Sequence, residues 1–102
     1  MVGTKHLELT DIRSLIRQHR DILAERYGVR VVAVFGSYVR GEQTGQSDLD
    51  LLVEFIHPIS LLEFIGAEIY LTEALGVKTD LVPKHDVRVE LRESILSQAV
   101  AL

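Results

Sequence analysis

Ser47-Asp48-Leu49-Asp50 begins ten residues after a Gly36-Ser37 pair that ends an apolar run, Val29 to Phe35. In an extended strand, side chains at i and i+2 share a face. Asp48 and Asp50 therefore project together, while Leu49, Leu51 and Val53 point away. Their roots stand about 6.5–7 Å apart. Oxygen ligands approach Mg²⁺ to about 2.0–2.1 Å, so two Asp side chains leaning inward can share one ion. A third carboxylate, Asp80 in Lys78-Thr79-Asp80-Leu81-Val82, joins them if its strand is the neighbour, because adjacent strands lie about 4.8 Å apart. Three ionised carboxylates at about 5 Å repel by roughly 3 kcal/mol per pair at an effective dielectric near 20. Such a cluster needs cations, or it takes up protons. Donors that are all carboxylate oxygens favour Mg²⁺ or Mn²⁺ over zinc.

Two ions held this way can clamp an in-line displacement at phosphorus, activating the attacking oxygen and steadying the leaving pyrophosphate. The Gly36-Ser37 turn supplies the complementary part. Glycine lets backbone approach phosphate closely, and the Ser37 hydroxyl can donate to it. Arg40 is the nearest cation, placed either to touch phosphate or to pair with an acidic neighbour. Ser47 is read as a turn cap, Lys84 as a solvated lysine and Glu54 as reaching solvent. Arg13 and His19 share the R-x₅-H spacing of a known ribonuclease class, but they are expected on the outer surface of the first helix.

The elements that must position these groups are legible from periodicity and punctuation. Residues 11–26 read as a helix capped by Thr10 or Asp11, with Ile12, Leu15, Ile16, Ile22 and Leu23 on one face and Gly28 at its end. Val29 to Phe35 is a β-branched strand stopped by Gly36. Ser37 to Gly41 fits a short helical turn, and residues 42–46 a polar loop. Asp48 to Phe55 is the second strand. Ser60 caps a second long helix that runs to Leu75, expected to bury Leu62, Ile65, Ile69 and Leu75 and to end at Gly76. Val77 to Val82 is a third strand stopped by Pro83. Asp86 is expected to cap a last helix with Leu91, Ile95 and Ala99 inward. The order α-β-(short α)-β-α-β-α predicts an α/β (α+β) fold: a small mixed sheet with helices packed on one face.

With 102 residues, the chain has room for one domain, residues 1–102, and not for two. A net charge of −4 with scattered positive residues argues against direct nucleic-acid binding as the main activity. The absence of cysteine excludes disulfides and thiolate zinc sites and fits a reducing compartment. No apolar run reaches membrane-spanning length, and the start lacks a signal-peptide core. The expectation is a cytoplasmic protein with no membrane partner.

Gly36-Ser37-x-x-Arg40-Gly41 followed by Ser47-Asp48-x-Asp50-Leu51 resembles the nucleotidyltransferase signature of the DNA polymerase β superfamily. The short length, with Leu81-Val82-Pro83 before a terminal helix, resembles its minimal nucleotidyltransferases. These are the antitoxin halves of modules whose toxins are HEPN-domain ribonucleases. The resemblance covers nearly the whole chain. It implies the minimal nucleotidyltransferase fold, with Asp48, Asp50 and Asp80 as catalytic, metal-binding carboxylates. It also implies phosphate contacts from Gly36 and Ser37, with Arg40 beside them, two Mg²⁺ ions and ATP as substrate. The implied activity is transfer of AMP to a tyrosine of a partner HEPN toxin. Two alternatives stand beside it: an antitoxin that neutralises by binding alone, and a nucleotidyltransferase acting on a small molecule. Relatives of the second kind generally hold the substrate with a second domain, whose pocket a homodimer could build instead, and homo- or hetero-oligomeric assembly is left open.

Overall fold

The computed structural model describes residues 7–40 and 48–102. Its elements are α1 (Leu9–Ile22, continued by a π-helical turn Leu23–Tyr27), β1 (Val29–Phe35), α2 (Ser37–Arg40) and β2 (Leu49–Phe55). They are followed by α3 (Leu61–Leu75), β3 (Thr79–Pro83), a 3₁₀ turn (Lys84–Asp86), α4 (Val89–Gln98) and β4 (Val100–Ala101). The expected loop 42–46 and Ser47 lie outside the described residues.

The sheet order is β3-β2-β1-β4. β1 runs antiparallel to β2 and β4, and β3 runs parallel to β2. Parallel pairing of β2 with β3 requires a crossover, which α3 provides. The mixed sheet expected from the sequence is thus present, with a fourth strand that was not foreseen.

Alternation along β2 divides the interior. Leu49, Leu51 and Val53 join Ile12, Ile16 and Leu23 of the α1 segment and Ala67, Leu71 and Leu75 of α3 in the main core. Leu52 turns to the other face, where it meets Ala33 and Val87, with Val82, Ile95 and Ala99 packed alongside. The two long helices therefore share one face of the sheet, as expected, while α4 adds Ile95 to the smaller cluster. β1 changes phase midway: a bulge between Val31 and Ala33 shifts its register against β2. Before it, Val29 and Val31 face the main core; after it, Val34 does, and Ala33 and Phe35 turn to the second face. A bulge re-aims the strand that follows it, here the end that carries Gly36.

Several local expectations change. Asp11 does not precede the first helix but reaches back from inside its first turn, accepting the Glu8 N–H at 3.0 Å. Ile22 lies roughly 80° round the helix from Ile12 and is partly exposed. Asp86 belongs to the 3₁₀ turn, and α4 starts after Arg88. Ser60 does cap α3 through a reciprocal pair with Glu63, at 3.1 and 2.8 Å. The buried side of that helix, however, is Ala67, Leu71 and Leu75; Leu62, Ile65 and Ile69 face outward. The Leu91 side chain lies outside the described part of the structure.

Candidate active site

Strand β2 carries Asp48 at its entrance and Asp50 one residue inside, on the face away from α1 and α3. The register pairs Asp50 with Phe35 on one side and with Asp80 on the other. The backbone bond from Leu49 N–H to the Lys78 carbonyl, 2.8 Å, fixes β2 against β3 where these carboxylates emerge. Asp80 therefore lies on the neighbouring strand, as the sequence predicted.

Phe35 leads straight into Gly36, whose φ is +84°, a conformation that side chains other than hydrogen rarely tolerate. A Cβ there would also meet the Asp50 carboxylate Oδ2, which would have to swing aside. The Asp50 side chain thus rests directly over the Gly36 backbone, and the turn and the acidic pair form one site. The chain then enters α2, with the Val39 N–H returning to the Gly36 carbonyl at 3.1 Å. Ser37 and Arg40 lie on α2, next to this turn; their side chains lie outside the described part of the structure.

The electrostatics record crowding of like charge. Burial, the Asp48 charge and a hydrogen bond with the Asp48 carboxyl push the Asp80 pKa up. Lys78 opposes this rise and Glu68 adds to it. Lys78 Nζ stands 3.7 Å from Asp48 Oδ2, and the lysine side chain is 71% exposed, so the pair contributes little to stability. Tyr38 is buried at the start of α2. Burial, then the nearby Asp48 charge, raise its phenol pKa. Among the described residues, no three His, Asp or Glu side chains are gathered closely enough to hold a metal ion as they stand. The donor chemistry nevertheless fits a hard cation, since the ligand atoms on offer are all carboxylate oxygens and Asp80 is crowded by Asp48.

Sequence reasoning missed three contributors. Thr79 N–H donates to Thr72 Oγ1 at 3.1 Å, and Leu81 N–H to Glu68 Oε2 at 2.9 Å. β3 is an edge strand, and these α3 side chains cap its outward amides on both sides of Asp80. The third is Lys78, opposite Asp48. None carries a local signal, because each partnership joins elements brought together only by folding. Glu54 and Lys84 reach solvent, as expected, and are paired there as well: Glu54 accepts from Arg30 at 2.6 Å and lies 3.8 Å from Lys84. The Arg30 hydrogen bond is the main reason that Glu54 titrates low. The R-x₅-H pair is structural rather than surface decoration. Arg13 donates to the Ala101 carbonyl at 3.1 Å, and His19 Nδ1 lies 2.6 Å from the Tyr70 hydroxyl, joining α1 to α3.

Comparison with known proteins agrees with this geometry. The family model described as "Nucleotidyltransferase domain" matches residues 16–102. The protein adenylyltransferase MntA of Thermococcus cleftensis is 45% identical over 94 residues, 92% of this chain and 95% of that protein. A protein of Methanocaldococcus jannaschii, provisionally named a protein adenylyltransferase, is 46% identical over 79 residues, 78% of this chain and 81% of that one. A solved structure provisionally assigned as a minimal nucleotidyltransferase superposes with a TM-score of 0.76 at 38% identity, covering 96% of this chain and 99% of that one. A toxin–antitoxin crystal structure with AMP-PNP shares the fold, with a TM-score of 0.67 at 23% identity over 93% of this chain and 72% of that one. The chain belongs to the nucleotidyltransferase domain family and is an enzyme of its minimal kind.

Proposed function

We propose that this protein is an Mg²⁺-dependent adenylyltransferase that moves AMP from ATP to a tyrosine hydroxyl of a partner HEPN ribonuclease, silencing it as its cytoplasmic antitoxin. The observation that carries the reading is the Asp50 carboxylate seated on the Gly36 turn, with Asp80 beside it in register. The names of the relatives support the reaction class, and toxin–antitoxin complexes with the same fold suggest the kind of acceptor.

In this reading Asp48, Asp50 and Asp80 hold the divalent ions, two by the family resemblance. When bound, the ions neutralise the triphosphate and lower the barrier to attack. Gly36 leaves backbone uncovered for the phosphates, Ser37 donates to them, and Arg40 adds positive charge alongside. The acceptor oxygen forms a bond to the α-phosphorus as the bond to the leaving pyrophosphate breaks. The hydroxyl proton leaves as the new bond forms, taken up by Asp80 or by solvent. The products are a tyrosine-AMP ester and pyrophosphate. Residues 1–102 would act as one domain.

The test is direct. Labelled ATP, Mg²⁺ and the purified HEPN partner should yield label on the partner, and Asp48→Asn with Asp50→Asn should abolish it without unfolding the chain. A folded wild-type protein that leaves the partner unlabelled defeats the proposal. The exposed apolar side of α3 also favours a second reading, neutralisation by binding alone. Under it, the Asp48→Asn, Asp50→Asn variant would still protect cells.

A further inference from the structure

Helix α3 is apolar on both sides. Ala67, Leu71 and Leu75 are buried against the sheet, yet Leu62, Ile65 and Ile69 on the opposite side are 82%, 40% and 55% exposed. Their spacing of i, i+3 and i+7 makes one continuous stripe. A helix that is apolar all round is ordinarily covered all round, and an exposed stripe of this kind marks an interaction surface.

The charges on α3 say what could cover it. Glu63 and Glu73 supply its outward charge, since Glu68 turns inward to the Leu81 amide; no Lys, Arg or His occurs from Leu61 to Leu75, and the nearest exposed cation, Lys78, is drawn to Asp48. Two copies packed through this face across a two-fold axis would set like charges against one another. An anionic lipid surface would be repelled in the same way. The complement is an apolar protein surface rimmed by Lys and Arg. Position supplies the second clue. Ile69, Thr72 and Glu73 form one wall of a groove whose other wall is Lys78, Thr79 and Asp80. Whatever sits on the stripe therefore borders the strand that carries the third carboxylate.

We propose that the outer face of α3 is the docking surface for the acceptor protein, engaging an apolar, basic-rimmed surface along the helix that flanks β3. This rests on the reading above that the acceptor is a protein. It assigns binding to a surface separate from the phosphate turn, so the two can be disabled independently.

The full-length chain, the double variant Leu62→Ser with Ile69→Ser, and the single variant Glu73→Lys should be titrated calorimetrically with the HEPN partner and, separately, with Mg·ATP. These positions are exposed, so folding should tolerate the changes. The double variant should weaken partner binding by at least about tenfold with Mg·ATP binding unchanged, and Glu73→Lys should slow association with the partner and flatten its salt dependence. Unchanged partner affinity in the double variant overturns the docking surface. So does a wild-type chain with no affinity for the partner, or one that self-associates through a contact that the double variant removes. Stripe-dependent binding without transfer of label would sink the catalytic reading alone and leave the docking surface standing.

Discussion

Asp80 shows how much of a site a strand pattern can disclose and where it stops. Alternation and strand spacing were enough to bring Asp48, Asp50 and Asp80 to one edge, and the structure pairs Asp50 with Asp80 in register. The sequence could not reveal that Asp80 stands within hydrogen-bond reach of Asp48, because that depends on where β3 stops sliding along β2. The consequence is titratable. Burial first, then Asp48, raise the Asp80 pKa above its ordinary 3.8. Folding therefore favours the protonated form, and that contribution is fully present below the unfolded value and is lost as pH rises through the folded one. At neutral pH, without divalent ions, the Asp80 charge is a net cost to the fold. Asp80→Asn should thus stabilise the ion-free protein by up to about 1 kcal/mol after solvent screening, with the gain fading as pH falls toward about 4. Nucleotidyl transfer should be lost in the same variant. Thermal melts across pH check the first point, and a variant less stable than wild type at neutral pH would show that Asp80 is anchored rather than crowded.

At the scale of elements, α3 does two jobs that periodicity could not separate. Its apolar residues recur on both sides, so the expected inner face of Leu62, Ile65 and Ile69 was as consistent with helical spacing as the observed one. The small Ala67, buried completely, decides it, since a helix approaches a sheet most closely over a short side chain. β4 escaped notice because two residues, Val100 and Ala101, carry no alternation to read; they are recognisable only by their pairing with Ala33 and Val34. The inner side of α3 also holds β3 in place through Thr72 and Glu68. Glu68→Ala leaves the Leu81 amide without that acceptor and should cost about 1–2 kcal/mol in urea melts. It should also reduce transfer by loosening the strand beneath Asp80. Glu68→Gln keeps an acceptor oxygen and should recover most of both losses. If glutamine is as damaging as alanine, the carboxylate charge rather than the hydrogen bond is what matters.

Taken as a whole, the molecule separates stability from chemistry by sheet face. The main core, with both long helices, lies on one side of β2, and the carboxylates emerge on the other beside the small Ala33, Leu52 and Val87 cluster. The bulge in β1 makes this possible, since it keeps Val34 in the main core while delivering Phe35 and Gly36 to the acidic face. A chain of net charge −4 that sets Asp80 against Asp48 there lowers its own stability at that point, a common compromise in enzymes. Any ligand that binds only the folded form returns stability as RT ln(1 + [L]/Kd), about 2.7 kcal/mol at a hundredfold excess over Kd. Mg²⁺ with a non-hydrolysable ATP analogue should therefore raise the melting temperature by several degrees, about 4–8 °C for each kcal/mol in a domain of this size. Asp48→Asn with Asp50→Asn should remove that rise while melting normally without ligand. Ionic strength must be matched with a monovalent salt, because screening alone relieves some repulsion among partly exposed carboxylates. An equal rise in wild type and variant would place the nucleotide somewhere other than the Gly36 turn, since Asp50 is the carboxylate that rests on it.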